Sequence, residues 1–226
     1  MDHTGTAASI GTADAAPTAP DWYAWHAQYD DLASPATRRL GAVQDLVRAA
    51  LDRALAARPT ATVISVAAGQ SRDLLPVLIE HPRRDDIRAR VVELDPRNAD
   101  FAEGACHGAG LRAVEVVSAD AGLVDIFAET APADLILLGE LLPLLGPDDV
   151  EGTIAALPQL CASDATVVCS ASTVPEAVRH SWLVSFERAG FTPGEEPAVP
   201  AGRVFAHRYT GPPIPLVPGT RMFRLD

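Results

Sequence analysis

Val63-Ile64-Ser65-Val66-Ala67-Ala68-Gly69-Gln70-Ser71-Arg72 runs from an apolar stretch into a turn of small residues. One β-α unit later, Val91-Val92-Glu93-Leu94-Asp95 reads as a second apolar strand, this one ending on a carboxylate. A turn of small residues lets main-chain N–H groups approach a ligand closely, and an acid at the end of the neighbouring strand can accept both hydroxyls of a ribose. The pair points to a nucleoside site with Asp95 on the ribose. Glu93 falls on the same face but deeper in the strand, which makes it the poorer ribose candidate. Asp95 also precedes Pro96, the order of a helix N-cap and a first helical residue, and one carboxylate can serve both ends.

The composition narrows which nucleoside chemistry is open. All 18 basic residues are arginine. A P-loop needs a lysine on the phosphates, a pyridoxal enzyme needs one for its Schiff base, and a short-chain dehydrogenase needs one beside its tyrosine, so these three classes drop out. The formal charge is −12 and no arginine run is interleaved with aromatics, so a nucleic acid would be repelled over most of the surface. Cys106, Cys161 and Cys169 are scattered and not at metal-ligand spacing, the six histidines are dispersed, and no metal site is expected. No apolar run approaches the roughly 20 residues of a membrane span, and a basic start followed by an apolar stretch is missing at the N-terminus. A cytoplasmic protein is expected, whose partners are a small-molecule acceptor and at most a second copy as a homodimer, with no nucleic acid and no membrane.

The elements that must position these residues follow from periodicity. Residues 1–20 have almost nothing to bury and are expected to be a disordered tail. From Asp21 the texture changes, because Trp22, Tyr23, Trp25 and Tyr29 crowd four aromatics into ten residues of a chain that is 5% aromatic. Trp22, Trp25 and Tyr29 recur at three and four residues, which suits either a packing face or a lid over a ligand. Ser34-Pro35 supplies an N-cap and a first-turn proline, and Leu40, Val43, Leu46, Val47, Ala50, Leu51, Ala54 and Leu55 keep helical spacing until Pro59. Residues 21–58 are therefore expected to form an N-terminal helical lid, and 59–226 the core.

Beyond residue 59, strands and helices alternate. Strands are expected at 62–67, 90–95, 114–118, 134–138 and 165–170, and helices at 72–81, 96–108, 121–129, 148–161 and 174–189. Apolar strands separated by helices imply a parallel sheet covered on both faces. Phe191-Thr192-Pro193 and Arg203 to Tyr209 leave no room for a helix between them and predict an antiparallel pair at the sheet edge. Gly211 to Gly219 reads as an extended strap.

Five parallel strands closed by an antiparallel pair, with a nucleoside turn after the first strand, resemble the class I S-adenosylmethionine-dependent methyltransferases. The resemblance covers roughly residues 21–210. It implies an α/β, Rossmann-like sheet of seven strands, mostly parallel with an antiparallel last strand, and S-adenosylmethionine as cofactor with S-adenosylhomocysteine as product. Ala67, Gly69 and Ser71 stand where that family has three glycines, Asp95 where it has the ribose acid, and Asp120 where it has the acid beside adenine. Gly139 and Glu140 fall in the turn that meets the methionine end, and Tyr29-Asp30 is similar to a Tyr-Asp pair of many lid helices. Ala68, Arg72, Pro96 and Ala121 flank these positions, so the implied cofactor contacts are Tyr29, Ala67, Ala68, Gly69, Arg72, Asp95, Pro96, Asp120, Ala121 and Gly139. More narrowly, Trp22-x-x-Trp25-His26, the Ala-Gly-Gln turn and Leu-Asp-Pro-Arg-Asn are similar to a group of small bacterial methyltransferases of mostly unassigned substrate.

The departures carry information too. Ala67 and Ser71 each add a Cβ, which is costly if the turn demands positive φ. The acid often found just before the turn is Ser65 here, which removes one anchor for the methionine amine, and Arg72 is a candidate for the methionine carboxylate. His26, Glu140 and His180 are the candidates for a catalytic base. The reaction implied is in-line methyl transfer to a small molecule. A non-methylating step on the same cofactor, such as a cyclisation, is the alternative suggested by the eroded glycines. A nicotinamide-dependent oxidoreductase ranks last, because G-x-G-x-x-G is absent.

Overall fold

The computed structural model describes residues 20–225, so nearly all of the tail expected at 1–20 lies outside the described residues. The first element of the described residues is a short helix, α1 (Trp22–Trp25), capped by the Asp21 carboxylate on the Ala24 N–H and continued by a 3-10 turn over His26–Tyr29. The long helix α2 (Pro35–Ala57) starts where Ser34 Oγ accepts the Thr37 N–H at 3.0 Å, with Pro35 in the first turn. Its apolar stripe, including Val43, Val47, Leu51 and Leu55, is buried against the sheet. Residues 21–58 therefore do not act as one lid, because most of α2 is a core helix and only its first turns, with the segment before it, reach the cleft.

Seven strands form one sheet in the order β3-β2-β1-β4-β5-β7-β6. They are β1 (Ala61–Val66), β2 (Ile87–Glu93), β3 (Val114–Ser118), β4 (Ala133–Gly139), β5 (Cys161–Ala171), β6 (Phe191–Pro193) and β7 (Arg203–Tyr209). The first five are parallel, β7 runs antiparallel to β5, and β6 closes the edge antiparallel to β7. The two-residue alternation of β1 explains the layering, since Ala61 and Val63 face the α2 side while Ile64 and Val66 face the other. Helices α2, α3 (Leu75–Glu80) and α4 (Pro96–Ala109) cover the first face. Helices α5 (Pro147–Ala156) and α6 (Glu176–Arg188) and the C-terminal Met222 and Phe223 cover the second. Among the described residues no helix is long and apolar enough to cross a membrane.

Several bounds differ from expectation for local reasons. The helix expected at 72–81 shrinks to α3, because Arg72 and Asp73 stay in the turn and Pro82 forces the residue before it, His81, out of the helical conformation. The helix expected at 121–129 is only a 3-10 turn over Val124–Phe127; Gly122 before it is held instead by the C-terminal chain, whose Met222 N–H donates to its carbonyl at 2.7 Å. Pro158 ends α5 early, and the chain finishes in a 3-10 turn over Leu157–Gln159. The second strand spans Ile87–Glu93 and not 90–95, so the sheet ends two residues earlier than expected. That shift leaves Glu93, not Asp95, at the end of the strand.

One buried polar group packs in the core without a hydrogen bond. His207 on β7 stacks on Phe186 at 3.9 Å between centroids, is 1% exposed, and has no partner for either ring nitrogen among the described residues. Burial pushes its pKa down to about 4, so the unfolded chain binds the extra proton between roughly pH 6.5 and 4. Stability is then lost as pH falls through that window, by an amount on the order of 3 kcal/mol when complete. A His207→Leu variant should melt higher than the parent at pH 5, with the gap narrowing at pH 8, when both are followed by circular dichroism. A gap that does not change with pH would contradict this account.

Candidate active site

A cleft of about 360 Å³ opens at the carboxyl ends of β1, β2 and β4, with the aromatic segment as its roof and α2, α4 and the turn after β4 as its walls. This is the edge at which open α/β sheets hold ligands, and the volume falls within the range of small-molecule sites.

Its floor is built around one carboxylate. Glu93, the last residue of β2, accepts the Gly69 N–H on Oε2 at 2.7 Å and the Asp95 N–H on Oε1 at 2.9 Å. It is 7% exposed, and burial raises its pKa despite those two donors. Asp95 does different work. Its Oδ1 caps α4 through the Arg97 N–H at 2.9 Å, and its Oδ2 pairs with the Arg97 guanidinium at 2.6 Å, which holds its carboxyl below the usual range. The same guanidinium reaches Asp21 at 2.8 Å and lies over the Tyr23 ring, so it ties the roof to α4. The expectation that Asp95 is the strand-end acid is thus corrected. Asp95 and Pro96 open the helix, the sheet must end before them, and Glu93 is left at the strand terminus. The Asp-Pro pair was the signal that could have found it.

The turn after β1 has a glycine-like shape without the glycines. Ala67 has φ 48°, Gly69 φ 55° and Ser71 φ 51°, so two residues with a Cβ sit in the left-handed region. Each such residue costs of order 1–2 kcal/mol. His26 explains why the middle position stays glycine. Its Nε2 accepts the Gln70 N–H at 3.2 Å, and a Cβ on Gly69 would lie 2.3 Å from that nitrogen. Nδ1 therefore carries the proton and donates to the Trp22 carbonyl at 2.7 Å. With both ring nitrogens engaged and its pKa lowered by burial, His26 is a neutral latch between roof and turn.

The remaining wall is polar beneath an apolar rim. Arg39 on α2 pairs with Glu140 through both Nε, at 2.6 Å, and its terminal nitrogen, and both side chains are largely buried. Glu140 is therefore half of an ion pair, not a free base. Burial and the nearby Glu140 raise the Tyr29 phenol above its usual range. Arg72 donates to Gln70 at 2.9 Å and to Asp30 at 2.9 Å, with its guanidinium over the Tyr29 and Phe101 rings.

Of the residues singled out in the sequence, Tyr29, His26, Ala67, Ala68, Gly69, Arg72, Asp95, Gly139 and Glu140 meet in the cleft. Asp120 and Ala121 line an adjoining depression that shares Ala67, where Asp120 accepts the Gly122 N–H at 2.8 Å and pairs with Arg221 at 2.9 Å. Pro96 is the first residue of α4 and lies outside the lining. His180 is exposed on α6 and reaches neither cavity, which removes it as a candidate base. Sequence reasoning missed Arg39, Asp73 and Asn98, all of which line the cleft. Arg39 is hidden within an amphipathic helix pattern, and nothing local marks it.

The fold is that of class I methyltransferases. An O-methyltransferase family protein from Burkholderia thailandensis superposes with TM-score 0.63 at 17% identity, over 80% of this chain and 58% of that one. Magnesium protoporphyrin IX methyltransferase from Synechocystis PCC 6803, solved with bound S-adenosylmethionine, gives TM-score 0.60 at 13% identity, over 86% and 100%. A SAM-dependent methyltransferase from Aquifex aeolicus gives 0.53 at 14%, over 78% and 99%. The chain thus spans less than two thirds of the Burkholderia protein's length. No family model and no curated protein matches the sequence.

The latch makes a double substitution informative. Gly69→Ala should cost about 1–3 kcal/mol of stability through its left-handed φ and the clash with His26. In a His26→Ala background the clash is gone, and the same change should cost measurably less. Equal costs in the two backgrounds, by denaturant unfolding, would show that His26 does not sit on the turn.

Proposed function

We propose that the cleft binds S-adenosylmethionine and that the protein transfers its methyl group to a small-molecule acceptor. The observation that carries this reading is Glu93. Its two oxygens are fixed by main-chain donors at the end of β2, and each retains a lone pair for a hydroxyl, which is the requirement for gripping a ribose. The residues present fit this cofactor: an acid for the ribose, the small turn beneath it, an aromatic roof, and Asp120 in the adjoining depression for the base. When bound, S-adenosylmethionine supplies a methyl group on a sulfonium, open to in-line displacement.

The protein's share of such a reaction is alignment and exclusion of water, which can supply several kcal/mol. His26 and Glu140 are both committed to partners, so neither is poised as a base. The best acceptors are then nucleophiles with an available lone pair, or ones that ionise without help. Trp22, Trp25 and Leu144 form the apolar rim over which such an acceptor would enter.

The same geometry argues against the other readings. A dinucleotide pyrophosphate needs free amides in the turn, and those of Gly69 and Gln70 are taken by Glu93 and His26. The cyclisation alternative rested on the eroded glycines, but Ala67 and Ser71 adopt the positive φ that glycines would have, so the turn keeps its shape.

Calorimetric titration with S-adenosylhomocysteine tests the reading. Glu93→Gln should weaken binding at least tenfold, about 1.4 kcal/mol, while Asp95→Ala should chiefly lower stability by about 1 kcal/mol through the lost cap. The reverse ranking would return the ribose to Asp95, and a folded parent that binds no S-adenosylhomocysteine would refute the proposal.

A further inference from the structure

The acid commonly found before the turn is Ser65 in this chain, yet the cleft contains another carboxylate that has a buried unpaired oxygen and no ion pair among the described residues. Asp73 closes the turn ahead of α3, and it lines the cleft together with Ser65 and Gly139. Its Oδ1 is buried without a hydrogen-bond partner, and its Oδ2 faces Gly139, 3.9 Å from where a Cβ on that glycine would lie. Of the other acids lining the cleft, Glu140 is paired with Arg39, Asp95 with Arg97, and Glu93 is bonded to two main-chain N–H groups. Both arginines that line the cleft are engaged elsewhere, Arg39 with Glu140 and Arg72 with Asp30 and Gln70. Asp73 forms no ion pair among the described residues.

We infer that Asp73 is the anchor for the ammonium of the cofactor's methionine moiety, replacing from the far side of the turn the acid that position 65 lacks. The inference rests on the cofactor reading above, in which the turn at Gly139 meets the methionine end. A buried carboxylate with an unpaired oxygen is costly to keep ionised, and burial pushes the Asp73 carboxyl up to about 6, although the main-chain N–H groups of Asp73 and Leu74 act in the opposite direction. An ammonium within hydrogen-bond reach is a partner that offsets this cost, because it brings three donors and a positive charge to a carboxylate that no arginine of the described residues pairs with. A neutral ligand would leave the cost unrelieved. Asp73 therefore acts as a selectivity element for the zwitterionic amino acid end, while the adenosine end is held elsewhere.

Two ligands separate the ends. S-adenosylhomocysteine carries the amine, whereas 5′-methylthioadenosine keeps the nucleoside and thioether but has no amino acid. Against the intact chain, Asp73→Asn should weaken S-adenosylhomocysteine at least tenfold and leave methylthioadenosine within about twofold, near 0.4 kcal/mol. Decarboxylated S-adenosylhomocysteine, which retains the amine, should also lose affinity in the variant. The variant should melt no lower than the parent at pH 7, since it loses an uncompensated buried charge, and this shows that the affinity change is not a folding defect. Unchanged affinity for S-adenosylhomocysteine, or equal losses for both ligands, would overturn the assignment while leaving the cofactor reading intact. A parent that binds neither ligand would overturn both.

Discussion

The bond between the Glu93 carboxylate and the Gly69 N–H is the contact on which the site's architecture depends. It joins the end of β2 to the turn after β1, while the second oxygen fixes the main chain where α4 begins. A buried carboxylate is tolerable only because those donors are aimed at it. Once it is in place, Asp95 is left to cap α4 and to hold Arg97, and through Arg97 the aromatic segment is bound to the helix. One acid thus sets the floor, and through its neighbour the roof.

The roof is attached at a second point by His26, whose ring meets the turn at the glycine that has no Cβ to obstruct it. The turn's amides are consequently spent on protein groups, and the cleft offers its ligand acceptors and negative charge more than donors. Such a cleft suits a ligand with hydroxyls and positive charge and disfavours one with phosphates. The acidic balance of the whole chain works in the same direction at longer range.

Much of this was legible in the sequence, because hydrophobic period and punctuation act locally. The five parallel strands and the closing antiparallel pair follow from apolar runs and from the short spacing after Phe191, and β3 falls at the residues expected for it. What failed to read were features decided by partners distant in sequence. The helix expected at 121–129 gave way to the C-terminal chain, whose claim on Gly122 no local pattern reveals. Arg39 finds Glu140 across 101 residues, and that pairing removes a base which residue type alone suggested. The position of the strand end is a different kind of miss. Glu93 and Asp95 share a face, and only the start of α4 at Pro96 settles which one ends the strand.

The most direct test of the account is a crystal structure of the protein with S-adenosylhomocysteine. It predicts both ribose hydroxyls within about 3 Å of the Glu93 carboxylate, with Arg97 still on Asp95 and His26 still over Gly69. A ribose held by Asp95 with Arg97 displaced, or a ligand bound away from the turn, would contradict the central role given to Glu93.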